Sequence, residues 1–437
     1  MKFDKSSLYN IKSDLDGIRR SLFDLAIWKN GLAFKKIDFS EIGRPVIKIA
    51  ELNNGINSNT SFTQGDYGEE VFIRWDDLLF SWSGNPKTSI DVFRYRLQDG
   101  WLNQHIFKVT ANEEFVTKDF LYYVLKFLKP HFTQIAKNKQ TTGLGHVTIA
   151  DLKRMSLVIP SKEVQSRIVS ILKAIDDKIE VNTSINKNLE QQAQALYSAW
   201  FEQFLPFDGT IPSDWHIGII GDIADIKTNS FNPQKNLGVM LEHYSIPAFD
   251  EQHFPVFELS DNVKSNKYIL TDNSVLASKL NPDTKRVWRP ICLTGNAVCS
   301  TEFIVFEAKN PNFKDFLFSV IDCQAFSDWM CAHTTGSTNS RQRTTPSTTL
   351  NFKLPIAPND VIEDFCATVT PMYDLIGQNL QENQRLSWIR DQLLPKLMSG
   401  EIDVSNIDRY AASAAIRASH GLDVKFLFTS VFAVILS

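Results

Sequence analysis

The sequence is poor in the features that announce catalysis, secretion or a membrane. Its 437 residues include five cysteines, Cys292, Cys299, Cys323, Cys331 and Cys366, all in the second half and with no C-x-x-C pair. A zinc site or disulfide framework needs closer spacing, so these thiols read as reduced, buried side chains of a cytoplasmic protein. The eight histidines lack metal-ligand spacing. Accordingly His105, His146 and His333 read as hydrogen-bonding residues, and neither a metal nor a cofactor is expected. No G-x-x-x-x-G-K-[ST] loop occurs, which argues against a motor ATPase. Asn232-Pro233-Gln234 and Asn281-Pro282-Asp283 lack the second proline and the aromatic of a methyltransferase N-P-P-aromatic loop.

Long apolar runs are also missing. Residues 1–20 are polar with charges of both signs, unlike a signal peptide. The single membrane-like stretch, Val424 to Leu436, is shorter than a bilayer span and reads as a core element or a tail, so no membrane partner is expected. There is no basic excess either. With a net charge of −4, a nucleic-acid reading must rest on local patches.

What is present is an ordinary globular composition, 43% hydrophobic and 22% charged, in a chain long enough for two or more domains. The chain also repeats itself. Thr141-Thr142-Gly143 is followed by a polar, basic segment and the strand-like Ser156-Leu157-Val158-Ile159-Pro160. Thr334-Thr335-Gly336 is followed by a similar segment and Leu350-Asn351-Phe352-Lys353-Leu354-Pro355. Each proline opens a long stretch of helical character, from about Val164 to Phe201 and from about Val361 to Met398.

At an offset of 197 the two helices align position by position. One heptad seam carries Ile168, Ile175, Asn182, Leu189 and Leu196; the other carries Phe365, Met372, Asn379, Leu386 and Leu393. Apolar residues at every seventh position, flanked by polar ones, describe a coiled-coil seam. A polar residue in such a seam costs stability but fixes register, so Asn182 and Asn379 are expected to set how the helices pack. A helix of about 38 residues is roughly 57 Å long at about 1.5 Å per residue. Pro371, at the position of Ala174, predicts a kink or a late helix start, and Pro395 predicts the end of the regular helix.

Between the helices lie two β-rich segments. The first shows strand-like pieces at Pro45 to Ala50, Val71 to Ile73, Leu78 to Ser81 and His105 to Val109. The second shows them at Ile219 to Ile226, Tyr268 to Leu270, Val275 to Ser278 and Glu302 to Phe306. Each segment ends in an amphipathic helix, Thr117 to Leu128 and Pro311 to Met330, and Asn85-Pro86 and Asn281-Pro282 recur as turns.

Charge concentrates around the Thr-Thr-Gly loops. From Lys126 to Arg154 there are six Lys/Arg against the single acid Asp151, and Trp329 to Lys353 contains Arg341, Arg343 and Lys353 with no acid. Lys137, Lys139, Arg341 and Arg343 suit phosphate contact, and Thr141 is a further candidate for DNA contact. Gln140, His146, Asn339, Gln342 and Arg343 suit base edges, since amides match adenine and Arg matches guanine. A second cluster, Lys279, Asn281, Lys285, Arg286 and Arg289 around Trp288, has the counterpart Trp82, Ser83, Asn85 and Lys87. Either tryptophan could be a groove contact or a core anchor. A solvated basic face is the alternative for each patch.

Two other classes remain open. Asp283 after Pro282, with Glu307 and Lys309, forms a nuclease-like pattern that could hold one Mg²⁺ for a stand-alone DNA nuclease. A purely structural coiled-coil scaffold would leave the paired basic loops without a role.

Several strings, taken in order, carry a resemblance. They are Gly31-Leu32-Ala33-Phe34 with Phe39-Ser40-Glu41-Ile42-Gly43, the two Thr-Thr-Gly loops, Glu163 to Ile168, and Ala193-Gln194-Ala195-Leu196-Tyr197 through Trp200-Phe201. Trp215-x5-Gly221-Asp222-Ile223 and the string Leu393 to Ile402 complete the set. From about Gly31 to Val404 the chain resembles the specificity subunit of a type I restriction-modification system.

The resemblance implies an α+β fold: two mixed α/β target-recognition domains separated by two long antiparallel coiled-coil helices, pseudo-two-fold symmetric. The expected divisions are a first recognition domain at 1–155, a spacer at 156–205, a second domain at 206–352, a spacer at 353–404 and a tail at 405–437. It further implies a chain without an active site that reads a bipartite double-stranded DNA target. Such a chain directs adenine methylation and restriction by two methyltransferase (modification) subunits and by restriction (motor-nuclease) subunits. Residues 1–20 do not match the usual opening strand, the second spacer lacks the acidic-Gln opening after Pro355, and the tail beyond Asp408 matches nothing. The first module is therefore expected to begin irregularly.

Overall fold

The computed structural model describes residues 7–140, 143–335 and 342–404. It divides into two compact units, Met1–Asp176 with Ser387–Ser437, and Asp177–Leu386. Both divisions fall inside the long helices Lys162–Tyr197 and Asn359–Ser399, so each unit includes a stretch of both.

In the first unit, strand Gly17–Ser21 pairs antiparallel with Ser156–Pro160. This is the opening strand that the sequence did not reveal. Its residues are exposed or half-buried, so no apolar alternation marks it. A four-stranded antiparallel sheet follows, in the order Ala26–Asn30, Ile106–Ala111, Leu78–Ser81 and Asp91–Arg94. Leu78–Ser81 is buried throughout because both its faces are covered. Phe80 meets Phe132 on one side, with ring centroids 4.8 Å apart, while Leu79 packs with Ile47, Ile73 and Leu102 on the other. Those three residues belong to a second sheet, ordered Phe62–Thr63, Arg44–Ile47, Gly100–Leu102 and Phe72–Ile73, whose central pair is parallel.

Two boundaries differ from the expected ones. The stretch Pro45 to Ala50 is a strand ending at Ile47, then a helix, Ile49–Asn54, started when Glu51 Oε2 accepts from the Lys48 N–H at 2.9 Å. The helix expected over Thr117 to Leu128 is Lys118–Phe127, capped by Thr117, and a second helix, Lys129–Asn138, follows it directly. Pro130 in the first turn of that second helix removes an N–H that would have had no partner anyway.

The second unit repeats this plan. Its four-stranded sheet runs Ala224–Lys227, Phe303–Ala308, Ser274–Ser278 and Val287–Trp288. The other sheet has five strands, Ser230–Phe231, Lys267–Ile269, Ala297–Ser300, Met240–Tyr244 and Val256–Leu259, again with one parallel pair. His216–Ile219 pairs with Lys353–Ile356 as Gly17–Ser21 does with Ser156–Pro160. The segment Ile219 to Ile226 proves to be strand, one helical turn (Ile220–Ile223) and strand. The helix expected over Pro311 to Met330 is two, Lys314–Asp322 and Gln324–Ala332, broken at Cys323, whose sulfur accepts from the Phe326 N–H.

The long helices carry the heptad seam. Ile168, Ile175, Asn182, Phe365, Asn379, Leu386 and Leu393 are buried, and Leu189, Leu196 and Met372 are partly buried. Neither a late start at Pro371 nor an end at Pro395 is found, since Asn359–Ser399 runs as one helix through both prolines. Both prolines are exposed, and so are Ala367 and Asp391 four residues before each, so water can reach the carbonyls left without a donor. The opposite face buries Phe365, Val369, Tyr373, Leu393, Leu394 and Leu397, which offsets a penalty of about 3 kcal/mol per proline.

Candidate nucleic-acid interface

In each unit, pairing between distant segments brings the two predicted clusters together. In the first, Gly145–His146 pairs antiparallel with Ser83–Gly84, and the Val147 N–H donates to the Trp82 carbonyl at 2.9 Å. Residues 145–147 therefore lie beside the Asn85-Pro86 turn. In the second, Arg343 bridges Leu280, the Thr344 N–H donates to the Lys279 carbonyl at 3.0 Å, and the Asn281 N–H donates to the Gln342 carbonyl at 2.9 Å. The strand register corrects the expected match of the turns by one residue. Gly84 and Asn281 stand at the equivalent position, and both have positive φ, 131° and 48°. Glycine adopts that region freely, and asparagine tolerates its left-handed part better than most other residues.

Not all the predicted basic residues face solvent unengaged. Lys139 caps helix Lys129–Asn138 and donates to the buried Asp151 at 2.5 and 2.7 Å. Burial works to raise the Asp151 carboxyl, but hydrogen bonds from Lys139 and Thr148 hold it below its ordinary value. Lys126 and Lys129 pair with Asp91. Lys153 lies over Phe23 and Arg154 over Tyr9. In the second unit Arg286 forks onto Asp250 at 2.6 and 3.0 Å, and Lys285 pairs with Asp322 at 2.7 Å. Arg289 joins Asp315 to Asp374 and so ties the module to helix Asn359–Ser399. Arg343 forks onto Glu302, with both bonds 3.0 Å.

The count of bases against acids along the chain overstated the local charge, because all the balancing carboxylates but Asp151 come from outside the counted segments. Among the described residues Lys87 and Lys137 are exposed and carry no ion pair. Gln140 is exposed just past its helix, and His146, Lys279, Asn281 and Gln342 are half-buried in the paired segments. Thr141, Asn339 and Arg341 lie outside the described residues.

The two tryptophans separate. Trp288 is a core anchor among Tyr244, Phe249 and Phe303. Trp82 stays half-exposed, with Nε1 donating to Asn30 at 2.9 Å and its ring against His105. The sequence reading did not place Asn30, His105 or Glu302 in the site. Each reaches it only through strand pairing, which leaves no local signature.

The nuclease pattern does not converge. Glu307 pairs across the sheet with Ser274, at the opposite end of strand Ser274–Ser278 from Asp283, a separation of about 13 Å along the strand alone. Its Oε1 accepts from Thr271 at 2.6 Å, and Lys309 donates to the Gly221 carbonyl at 2.6 Å. Among the described residues no cluster of three or more His, Cys, Asp or Glu could hold a metal ion.

Residues 19–191 match the family model of the type I restriction modification DNA specificity domain. The chain is 24% identical to the type I restriction enzyme HindI specificity subunit of Haemophilus influenzae, over 71% of this chain and 84% of that one. It is also 24% identical to the MjaIX specificity subunit of Methanocaldococcus jannaschii, over 67% of this chain and 71% of that one. The crystal structure of a type I restriction-modification S subunit from M. genitalium shares the fold, with a TM-score of 0.53 and 16% identity, covering 89% of this chain and 97% of that one. With its duplicated units and two long helices, the chain is similar in sequence and in fold to the specificity subunits of type I restriction-modification systems.

Proposed function

We propose that each unit reads one half of a bipartite double-stranded DNA target. The recognition modules are residues 1–155 and 206–352, and the spacers at 156–205 and 353–404 set the gap between the halves. The chain performs no chemistry. It directs adenine methylation and restriction by two modification subunits and by restriction subunits, in the cytoplasm. The observation that carries this reading is the paired-segment clip, built twice with the same backbone bonds, that sets residues 145–147 in one unit and 342–344 in the other against a turn. Lys87 and Lys137 supply phosphate contact that carries no sequence information.

Of the five cysteines expected to be buried, Cys299, Cys323 and Cys366 are, whereas Cys292 is half-buried and Cys331 exposed. No described helix is long and apolar enough to cross a membrane, and Val424 to Leu436 lies outside the described residues. Val181 and Ile185 on the first long helix and Leu375 on the second are exposed apolar residues, suited to a partner subunit.

Footprinting tests the reading. The full chain with its modification subunits is expected to protect two short DNA segments separated by a gap of fixed length. Protection that ignores sequence, or a single continuous recognised segment, would contradict it.

A further inference from the structure

The clip is repeated down to single hydrogen bonds, while the side chains it carries are not. In the first unit the Trp82 N–H donates to the His105 carbonyl at 3.2 Å, and Trp82 accepts from the Val147 N–H at 2.9 Å. In the second the Lys279 N–H donates to the Glu302 carbonyl at 3.0 Å, and Lys279 accepts from the Thr344 N–H at 3.0 Å. Ser83 opposes His146 as Leu280 opposes Arg343. Every one of these residues is matched by another 197 positions later. One backbone frame therefore presents His105 and His146 in the first unit and Glu302 and Arg343 in the second. A fold that needed these side chains for stability would keep similar ones in both copies. Here the frame is kept and the chemistry changes from two imidazoles to a carboxylate and a guanidinium.

The second pair has the geometry of a supported reader. Arg343 spends Nε and one Nη2 hydrogen on Glu302, which leaves its other N–H donors available in a partly exposed side chain. Its side chain is 44% exposed and that of Glu302 30%. Hydrogen bonds from Arg343 hold the Glu302 carboxyl below its ordinary value, so the carboxylate stays ionised and fixes the guanidinium plane. A planar donor fork fixed at one orientation matches the O6 and N7 acceptors of guanine in the major groove. The imidazoles of His105 and His146 offer one donor and one acceptor each, a different reading set.

We propose that these equivalent pairs determine specificity in the two half-sites. Arg343, oriented by Glu302, reads a guanine in one half, and His105 and His146 read bases in the other. This rests on the DNA reading proposed above. Arg343 is the contacting residue and Glu302 a positioning residue.

The test uses the full chain produced with its modification subunits, with methylated adenines mapped across a genome by single-molecule sequencing. Arg343→Gln is expected to cut discrimination at one guanine of one half-site about ten-fold or more while the other half is kept. Glu302→Gln is expected to relax that same position less. His105→Ala with His146→Ala is expected to relax only the other half. Thermal unfolding of each purified variant near the unaltered chain separates readout from folding. An unchanged recognised sequence in the Arg343 variant, or relaxation of the same half by variants of both units, overturns the proposal and leaves the DNA reading standing. Absence of any sequence-dependent methylation by the unaltered complex overturns both.

Discussion

Asn379 donates its Nδ2 to Asn186 Oδ1 at 2.8 Å, and the same bond recurs 197 positions earlier as Asn182 Nδ2 to Asn383 Oδ1 at 2.9 Å. The second spacer helix meets the first through exchanged partners. Residue 182 faces 383 and residue 186 faces 379, so the two helical stretches in this unit run antiparallel. Asn182 also donates to Glu382, which Lys178 approaches at 3.3 Å, and Asn186 donates to the Ile376 carbonyl. A slip by one turn would strand several buried amides at once, which is how polar seam residues fix register.

This exchange predicts coupling. Asn186→Ala and Asn379→Ala should each destabilise the chain by about 1–2 kcal/mol, because each leaves a buried amide without its partner. The double variant should lose less than the sum, by about 0.5–1.5 kcal/mol. Denaturant unfolding of the full chain checks this, and strictly additive losses would show that the asparagines do not act as a pair.

Asp151 predicts an acid dependence in the first unit. Its carboxyl is depressed in the folded chain despite burial, through Lys139 and Thr148, so folding favours the ionised form. Stability from this group is present above the unfolded carboxyl value, about 3.9, and is lost as pH falls through the folded value. Asp151→Asn should lower Tm near neutrality and flatten the further fall in Tm below about pH 4. Parallel acid curves for the two chains would contradict this.

How far the sequence could be read depended on whether the signal was periodic. The seam was legible because Ile168, Ile175, Leu386 and Leu393 recur at heptad spacing, and the duplication was legible at one fixed offset. Asn186 and Asn383 escaped notice because they lie off that heptad position, although they complete the buried bonds. Strand Gly17–Ser21 is too exposed to show alternation. The late start suggested by Pro371 was wrong because propensity alone cannot reveal that Ala367 and Pro371 both lie on the exposed face of a packed helix. The basic loops were visible as runs, whereas Glu302 and Asp250, which neutralise Arg343 and Arg286, lie 41 and 36 residues away in the chain and meet them only after folding.

These ion pairs separate two kinds of basic residue. Lys137 carries no ion pair among the described residues, so Lys137→Ala should reduce the slope of log affinity against log salt by about 1. Arg286 is committed to Asp250, so Arg286→Ala should leave the slope unchanged. Binding of the complex to its target measured over a salt series checks both, and the reverse pattern would mean that Arg286 trades its carboxylate for phosphate.

The exposed apolar residues of the first spacer helix predict a docking effect. Val181→Asp with Ile185→Asp should reduce co-purification of the modification subunit by ten-fold or more, with Tm nearly unchanged because both side chains face outward. Retained association would place that partner on another surface.

The central claim, that each unit reads one half of a divided target, is tested most directly by replacing residues 20–150 with the equivalent segment of another specificity subunit. Methylated adenines are then mapped by single-molecule sequencing in cells that also make the modification subunits. The account predicts a hybrid target, with one half and the gap length unchanged and the other half replaced. An unchanged target, or one altered in both halves, would contradict it.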